Sequence, residues 1–448
     1  MDHSVDNSMK FQVHTFGCKV NTYDAGLLQK NLQSNGFTYQ DGDPRIHVLN
    51  TCAVTAEATK EAVRYIRRLK VRDPFCTVVV TGCAAQVDTG SFENLPGADL
   101  VVANSHKGQL PELLNKFFKG DLTEKVFKSN IFKKEDLEMG GGIEKSHTRT
   151  FLKIQDGCNS FCTYCIIPYA RGKSRSIPVA DLVARVNDLY AEGVREAVLT
   201  GVHIGDYEDE KFGKKLVLED LIEHLLAKTK MPRFRLSSLE PVELSERLLD
   251  LYQDDKMCPH FHMSIQSANT DVLDKMKRKY TQNDVMHSLN QIDKRVKNAF
   301  VGMDVIVGFP TETHEQFEDT YLTLAELPWT KIHVFPYSER PGTRAVTYDV
   351  SVPNEERVRR ASRLRELSLH RFETLAKGQV GIHKKVLVLK NSAKGGQALS
   401  RDYWPVHIVG ADEFVSHWAG QEVDVKILKY DHSNKTRMEG HLIGEILT

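Results

Sequence analysis

The chain has 448 residues, too many for one hydrophobic core, so about two or three domains are expected. Hydrophobic residues make up 41% and charged residues 27%, which excludes a disordered or fibrous chain because both values are close to globular averages. Lysine plus arginine and aspartate plus glutamate number 60 each, so a surface for a polyanionic partner would have to be local.

Short β-rich runs alternate with helical patterns in the first part of the chain. FQVHTFG is followed by a helical pattern at 24–35, IHVLNTC by one at 56–71, and CTVVVTGC by a mixed stretch. This alternation predicts an open parallel sheet with crossover helices, which we place at 9–122. A polar stretch with three consecutive glycines, KKEDLEMGGGIEKSHTRT, has neither period and predicts a linker, which we place at 123–145.

Six further strand candidates, each followed by a helical pattern, occupy the middle of the chain: TFLKIQD, EAVLTG, RFRLSS, HFHMSI, FVGMDVIVG and KIHVFP. They predict a partial (β/α)6 barrel over 146–378, with its active face at the carboxyl ends of the strands. After a charged helical pattern at 354–378, four β runs separated by Gly, Asn and Asp predict a small all-β barrel over 379–448. The expected fold class is α/β with an all-β C-terminal domain.

The opening segment MDHSVDNSMK is polar, and no run approaches the ~18 consecutive apolar residues that span a bilayer. We therefore expect a cytoplasmic protein with no membrane partner. Eight cysteines in such a chain favour metal binding or catalysis over disulfides, because the cytosol keeps thiols reduced.

Three of the cysteines, Cys158, Cys162 and Cys165, form a C-x3-C-x2-C triplet directly after the first strand of the predicted barrel. Cysteine thiolates are the usual ligands of iron–sulfur clusters, and three of them leave one iron of a four-iron cluster open for a substrate. Zinc is the alternative, but structural zinc takes four ligands, typically from C-x2-C pairs, and the sequence has no second pair here.

Cys18, Cys52 and Cys83 are far apart in sequence, yet each follows a predicted strand of the first domain. Because the carboxyl ends of parallel strands line one edge of a sheet, their thiolates should converge there. Three unrelated buried cysteines are the alternative. Cys76 begins the strand that Cys83 ends, roughly 23 Å away, and Cys258 precedes a barrel strand, so both should lie far from the predicted sites.

The segments TFGCKVN, NTCAVT, KIQDGCNSFCTYCIIPYARG and RLSSLEP resemble the radical S-adenosylmethionine methylthiotransferase family, and the resemblance covers nearly the whole chain. They are most similar to the bacterial branch that modifies N6-threonylcarbamoyladenosine next to the anticodon of transfer RNA. The resemblance implies an auxiliary-cluster domain, a radical core and a TRAM-like RNA-binding barrel. One segment departs from the pattern: HMSIQSAN stands where relatives more often have P-x-Q-S-G.

The resemblance also implies two [4Fe–4S] clusters and S-adenosylmethionine as cofactors. Cys158, Cys162 and Cys165 would hold the radical cluster, and the auxiliary cluster, which carries the sulfur to be inserted, would be held by Cys18, Cys52 and Cys83. Further contacts to S-adenosylmethionine are implied beside the radical cluster and at the strand ends, namely at Tyr164, Pro168, Thr200, Gly201, Ser238, Glu240, Gln266 and Gly308.

The implied partners are the anticodon stem-loop of transfer RNA, a flavodoxin- or ferredoxin-like electron donor and a sulfur source. Basic runs at 60–72, 275–281 and 355–365 are candidates for phosphate contacts or for solvated helix faces. Three other functions remain open: methylthiolation of isopentenyladenosine, methylthiolation of a ribosomal-protein side chain, and a non-catalytic electron-transfer or sensor protein with two clusters.

Overall fold

The computed structural model of the protein describes residues 9–137, 148–211, 213–390, 396–410, 417–433 and 439–447. The part of the predicted linker from 138 to 145 lies outside the described residues. The predicted fold class is confirmed: an N-terminal parallel sheet, a strand–helix core and a closed C-terminal β-barrel follow one another along the chain.

The N-terminal domain is a parallel sheet with helices on its faces. Its strands are β1 Lys10–Thr15, β2 Thr38–Tyr39, β3 Ile46–Thr51, β4 Thr77–Gly82, β5 Leu100–Ala103 and β6 Val126–Phe127. Its helices are α1 Lys19–Ser34, α2 Ala56–Arg72, α3 Cys83–Val87, α4 Gly90–Glu93 and α5 Leu110–Lys119. The strand order is β2-β1-β3-β4-β5-β6, and every pair is parallel.

The central strands β3 and β4 are buried along their whole length, as expected for strands covered by helices on both faces. Helix α1 starts at Lys19, earlier than its predicted start at residue 24, because Val20 and Tyr23 already pack inward. Helix α2 matches its predicted range closely, and the Thr55 side chain caps it by accepting a 3.3 Å hydrogen bond from the Ala58 backbone N–H.

The core domain contains the six predicted barrel strands together with short hairpin and edge strands. The strands are β7 Arg149–Lys153, β8 Gln155–Asp156, β9 Arg175–Ser176, β10 Glu196–Thr200, β11 Asp209–Lys211, β12 Lys214–Leu216, β13 Phe234–Leu236, β14 Ser238–Leu239, β15 His260–Gln266, β16 Phe300–Val307 and β17 Lys331–Pro336. The helices are α6 Ile167–Arg171, α7 Val179–Ala191, α8 Leu218–Lys228, α9 Glu246–Asp250, α10 Thr270–Lys275, α11 Gln282–Arg295, α12 His314–Glu326 and α13 Asn354–Lys377.

The barrel strands are parallel and follow one another in sequence order. One group pairs as β7-β10-β13 and the next as β14-β15-β16-β17, with the change between groups at Ser237. The helical pattern predicted over 270–298 forms two helices, α10 and α11, because Lys277 adopts a left-handed backbone with φ 60° and interrupts the turn. The carboxyl ends of the strands point towards the N-terminal domain.

The C-terminal domain is a closed barrel with strand order β18-β19-β20-β22-β21. Its strands are β18 His383–Val388, β19 Gln397–Ser400, β20 Pro405–Ile408, β21 Glu422–Asp431 and β22 His441–Ile446. The short strand β19 was not predicted, because QALS has too few β-branched residues to stand out. Aromatic packing of Phe300 and Phe372 on Trp404 joins this barrel to β16 and α13.

Buried charges also tie the C-terminal barrel to the core. Glu196 is completely buried and accepts hydrogen bonds from Arg233 at 2.8 Å and Arg235 at 3.0 Å. The same two arginines donate to the backbone carbonyls of Leu399 and Ser400, at 3.1 and 2.8 Å. The barrel therefore completes the hydrogen bonding of buried core residues and is fixed to them. Among the described helices, none has the length and apolar character needed to cross a membrane.

Candidate functional site

The structure brings Cys18, Cys52 and Cys83 together at the carboxyl edge of the N-terminal sheet. Cys52 follows β3 directly, Cys83 follows β4 directly, and Cys18 lies between β1 and α1. Cys52 and Cys83 are buried, whereas Cys18 is exposed. All three line one cavity of about 420 Å³, which we call the cysteine cavity.

The backbone around Cys18 allows this convergence. Gly17 has φ 93°, in the left-handed region, and a Cβ atom on it would lie 2.5 Å from the Cys52 Sγ atom. Only glycine fits between the two cysteines. Burial, followed by the nearby Cys83, raises the pKa of Cys52 to about 12. Thiols in such a site become thiolates when a cation offsets the cost of burying their charge.

Cys158, Cys162 and Cys165 lie on the loop between β8 and α6. The loop begins at Gly157, which has φ 76° and packs so closely against the backbone carbonyl of Lys173 that a Cβ atom would overlap it. Each of the three sulfurs has a different environment. Burial alone would raise the pKa of Cys158, but contacts with His203 and with the Ser160 backbone N–H outweigh it and lower this pKa.

Charged side chains surround this second triplet. Arg278 donates a hydrogen bond of 3.0 Å to the Sγ atom of Cys162 and lies 2.8 Å from a carboxylate oxygen of Glu240. His203 lies 3.8 Å from the Cys158 Sγ atom and contacts Glu240 and Glu243 with its other ring nitrogen. Burial opposes a charged imidazole, but the neighbouring acidic groups, including Asp206, raise the pKa of His203 well above its usual value.

The residues predicted from the strand ends fall into two groups. Thr200, Gly201 and Ser238 line the cysteine cavity, so the end of β10 and the start of β14 face the N-terminal triplet. Glu240 belongs to the charged group around Cys162.

The other predicted residues have mainly backbone or packing contacts. Gln266 ends β15 with a left-handed backbone, φ 60°, where the register with β16 shifts. Gly308 donates its backbone N–H to Glu312 at 2.7 Å and leaves no room for a side chain beside Arg357.

Tyr164 and Pro168 lie beside the cysteine loop. Tyr164 packs edge-on against Phe309, with 6.5 Å between ring centroids, and burial raises its pKa well above the usual value. Pro168 is buried in the short helix α6 and accepts the backbone hydrogen bond of Gly172 at 2.8 Å. Neither side chain lines the cysteine cavity, so contact of these residues with a cofactor stays a prediction.

His203, Asp206, Glu243 and Arg278 were not predicted as site residues. His203 lies just beyond Gly201, so its position after a barrel strand was the available signal. Arg278 belongs to the basic run at 275–281, yet its side chain is only 5% exposed. It is therefore available neither for phosphate contacts nor as part of a solvated helix face. In the run at 355–365, Arg357 and Arg360 are likewise buried.

A buried polar network connects the two triplets. Arg171, at the end of α6, donates to Asn21 at 2.6 Å and forms 3.0 Å ion pairs with Asp24 and Asp156. Asn104 donates to the Cys83 Sγ atom at 3.7 Å and to the Ala170 carbonyl at 2.9 Å. Side chains of the N-terminal domain therefore hold the segment that follows the C-x3-C-x2-C triplet.

A larger cavity of about 910 Å³ lies where the three domains meet, and we call it the junction cavity. It shares Gly17, Lys19 and His262 with the cysteine cavity. Its remaining wall comes from β15, β16 and β17, from the end of α13 and from the C-terminal barrel, including Asp304, Lys331, His333, Phe335, Phe372, Tyr403 and Glu439. Cys76 and Cys258 line neither cavity.

Two family models match the chain: the Radical SAM superfamily over residues 152–324 and Uncharacterized protein family UPF0004 over residues 10–103. The chain is 34% identical over 389 residues to the threonylcarbamoyladenosine tRNA methylthiotransferase MtaB of Aquifex aeolicus, covering 86% of this chain and 94% of that protein. It is 34% identical over 367 residues to MtaB of Bacillus subtilis, covering 79% of each chain.

A related branch also matches. The chain is 30% identical over 457 residues to the tRNA-2-methylthio-N(6)-dimethylallyladenosine synthase of Bacillus licheniformis, covering 98% of this chain and 86% of that protein. Among solved structures, the radical S-adenosylmethionine methyltransferase TsrM from Kitasatospora setae, with cobalamin and a [4Fe-4S] cluster bound, superposes with a TM-score of 0.57 at 14% identity. That match covers 87% of this chain and 81% of TsrM, and it shows a shared fold.

Proposed function

The chain belongs to the tRNA methylthiotransferases of the radical S-adenosylmethionine superfamily, and from this we propose that it converts N6-threonylcarbamoyladenosine next to the anticodon to its 2-methylthio derivative. The observation that carries the proposal is the cysteine cavity. Its wall combines Cys18, Cys52 and Cys83 of the N-terminal domain with Thr200, Gly201 and Ser238 of the core. The sheet edge with the N-terminal triplet therefore faces the core domain across this cavity, which supports a sulfur-carrying site next to a radical-generating one.

The cysteine sites fit iron–sulfur clusters. Each triplet offers three thiolates, which leaves one iron of a [4Fe–4S] cluster open for a further ligand. Among the described residues, two sets of possible metal ligands have all their ligand atoms within 4.8 Å of one another. These sets are Cys158, His203 and Asp206, and His203, Glu240 and Glu243, so neither contains three cysteines. Sulfurs around a tetrahedral zinc ion would be about 3.8 Å apart. The preference for a multi-iron cluster over zinc therefore rests on the three-cysteine sets and on the family to which the chain belongs.

When bound, the two clusters and S-adenosylmethionine supply radical formation, methyl transfer and sulfur insertion at carbon 2 of the adenine. The protein holds and orients them. We assign one cluster to Cys158, Cys162 and Cys165 and the other to Cys18, Cys52 and Cys83. The Arg278 hydrogen bond to Cys162 stabilises the negative charge of a thiolate at that position.

The amino and carboxylate groups of S-adenosylmethionine need polar partners beside the open iron. Glu240 and His203 lie next to Cys158 and Cys162 and have the charges for this role. Thr200, Gly201 and Ser238 are proposed to contact the same cofactor from the opposite wall. Tyr164, Pro168, Gln266 and Gly308 remain predicted contacts, with Tyr164 and Pro168 shaping the adenine pocket.

Transfer RNA is the substrate of the family. We further propose that the three domains span residues 9–122, 146–378 and 379–448. The anticodon stem-loop binds across the second of these, the core, and the third, the C-terminal barrel. An electron donor of the flavodoxin or ferredoxin type and a sulfur source complete the proposal. Exposed lysines on the barrel strands, such as Lys385 and Lys426, support the RNA-binding role because phosphate contacts dominate such affinity.

Nucleoside mass spectrometry of transfer RNA from cells with and without the gene tests the function. Loss of 2-methylthio-N6-threonylcarbamoyladenosine, with accumulation of its unmethylthiolated precursor, is the expected result. Loss of the 2-methylthio derivative of dimethylallyladenosine instead would assign the chain to the second branch, to which the Bacillus licheniformis relative belongs. An unchanged nucleoside profile would refute a role in transfer RNA.

A further inference from the structure

The cysteine cavity and the junction cavity are adjacent compartments of one space. They share three residues, Gly17, Lys19 and His262, which form part of both walls. This shared wall defines a direction in which a bulky substituent can extend when the reacting atom of the substrate lies beside the N-terminal triplet. That direction is past Lys19, into the space bounded by the core strands and the C-terminal barrel.

Most charged groups in the junction cavity already have a close polar partner. Lys331 lies 2.9 Å from Glu439, and His262 lies 3.0 Å from Asp304. Burial, together with the nearby Lys331, lowers the pKa of His333 to about 4, so this imidazole is neutral near pH 7. Within the part of the wall that the structure describes, each carboxylate and each lysine therefore has a partner within 3.0 Å, with one exception.

The exception is Lys19, the first residue of α1. Within the described ranges of the chain, its ammonium group has neither an ion-pair partner nor a hydrogen-bond acceptor. Its side chain is half-buried between the two cavities. An unpaired cation in such a position loses part of its hydration, and an anionic ligand group would restore the missing interaction.

We propose that Lys19 selects the substrate by binding the carboxylate of the N6-threonylcarbamoyl group. This inference rests on the proposed function and names the residue that sets its specificity. The threonylcarbamoyl substituent carries a carboxylate and a hydroxyl, whereas the dimethylallyl substituent is uncharged and apolar. The first substituent pairs with Lys19, and the second would bury the ammonium without a partner.

The expected size of the effect follows from hydrogen bonds to charged groups. Such a bond in a partly desolvated site favours the paired ligand by about tenfold to hundredfold. A site built this way also discriminates by rejection, because the competing substrate leaves a polar group unsatisfied. Neutralising either the carboxylate or the ammonium should therefore remove most of the preference.

The test uses the holoenzyme and three anticodon stem-loop RNAs. One RNA carries N6-threonylcarbamoyladenosine, the second carries the methyl ester of its threonyl carboxylate, and the third carries N6-dimethylallyladenosine. For the wild-type enzyme, kcat/KM and RNA affinity should favour the acid over the ester by about tenfold or more. In Lys19→Met and Lys19→Gln this ratio should fall to within about threefold.

Two controls separate charge from structure. Lys19→Arg keeps the positive charge and should retain the preference for the acid. Lys294→Met removes an exposed lysine of α11 that lines neither cavity, so the ratio should equal that of the wild type. Iron content and S-adenosylmethionine cleavage without RNA confirm that each variant contains its clusters.

The outcomes distinguish this inference from the proposed function. If the wild type methylthiolates the acid RNA and both neutral variants keep its preference, the role of Lys19 is wrong and the proposed function stands. If the wild type methylthiolates none of the RNAs, the proposed function fails. In that case the acid-over-ester ratio of binding affinities, measured by fluorescence anisotropy, still decides whether Lys19 recognises the carboxylate.

Discussion

The Nη2 atom of Arg171 lies 2.6 Å from the Oδ1 atom of Asn21, which connects the segment after the C-x3-C-x2-C triplet to the helix that begins next to Cys18. The Asn21 amide in turn donates to the backbone carbonyls of Phe16, at 2.8 Å, and Thr51, at 3.1 Å. Phe16 and Thr51 immediately flank the Cys18 turn and Cys52. One arginine side chain therefore fixes the N-terminal triplet relative to the core.

Replacing Arg171 should be strongly destabilising. In Arg171→Met, Asp24 and Asp156 lose a fully buried cation, which should lower the free energy of unfolding by about 3–5 kcal/mol. The exposed pair Arg64–Glu57 provides the control, because Arg64→Met should cost at most about 1 kcal/mol. Denaturant titration of both variants measures the difference. Equal stabilities would show that Arg171 does not hold the domains together.

Anaerobically reconstituted protein should bind about eight irons, since two four-iron clusters are each held by three of the named cysteines. Cys76→Ala and Cys258→Ala should leave this value unchanged, because both side chains lie outside the two cavities. Iron and zinc analysis checks the prediction. One cluster per chain, or zinc as the main metal, would contradict it.

The two triplets should be separable by substitution. Cys18→Ala removes an exposed cysteine that makes no side-chain cap of α1, so the fold and the radical cluster should remain. This variant should still cleave S-adenosylmethionine to 5′-deoxyadenosine but form no methylthio product. Cys162→Ala should form neither product. Chromatography of one anaerobic assay with dithionite measures both, and a Cys18→Ala enzyme with a normal radical cluster but no cleavage would argue against separate roles.

Arg278 should tune the cluster that Cys162 holds. Hydrogen bonds to ligand sulfurs stabilise the reduced cluster, so Arg278→Met should shift the midpoint potential to more negative values and slow cofactor cleavage by about tenfold. Lys275→Met, on the exposed side of α10, is the matched control. Redox titration followed by electron paramagnetic resonance reports the potential. An unchanged potential with slower cleavage would limit Arg278 to cofactor binding.

RNA binding by the C-terminal barrel is better tested on its surface than by truncation. Deleting residues 380–448 would remove the barrel carbonyls to which Arg233 and Arg235 donate hydrogen bonds. Both arginines would then be left with unsatisfied donors, and the core would be disturbed as well. Lys385→Ala with Lys426→Ala should weaken transfer RNA binding and reduce its salt dependence, because two exposed cations are lost. Lys294→Ala, at an exposed position of α11, should have little effect. The measurement is the affinity for transfer RNA at several salt concentrations. An unchanged slope of affinity against salt concentration would show that Lys385 and Lys426 do not contact the RNA.

The sequence patterns predicted the large features of the site. Cys18, Cys52 and Cys83 were expected to converge because parallel strands end at one sheet edge, and the structure places them in one cavity. The family resemblance is confirmed by relatives that match most of the chain. The cluster assignments of the individual cysteines remain predictions.

The charged residues around the clusters could not be predicted from local patterns. Arg278 contacts Cys162 across 116 residues of sequence, and its run of lysines and arginines looks like an exposed surface. Arg171 and Asn21 are 150 residues apart, and neither forms a periodic pattern that indicates a contact. Partners of this kind are fixed by tertiary packing, whereas strand ends follow from alternation along the chain.

The arginines that reach the C-terminal barrel also impose an order on biosynthesis. Glu196, Arg233 and Arg235 leave the ribosome long before the carbonyls of Leu399 and Ser400 that complete their hydrogen bonds. Because chains grow at about 5–20 residues per second, the carbonyls of Leu399 and Ser400 are synthesised on the order of ten seconds after the arginines. During that interval, the buried arginines of the nascent protein lack these hydrogen-bond acceptors. A chain that ends before residue 399 should therefore be degraded by proteases and should not form a smaller active enzyme.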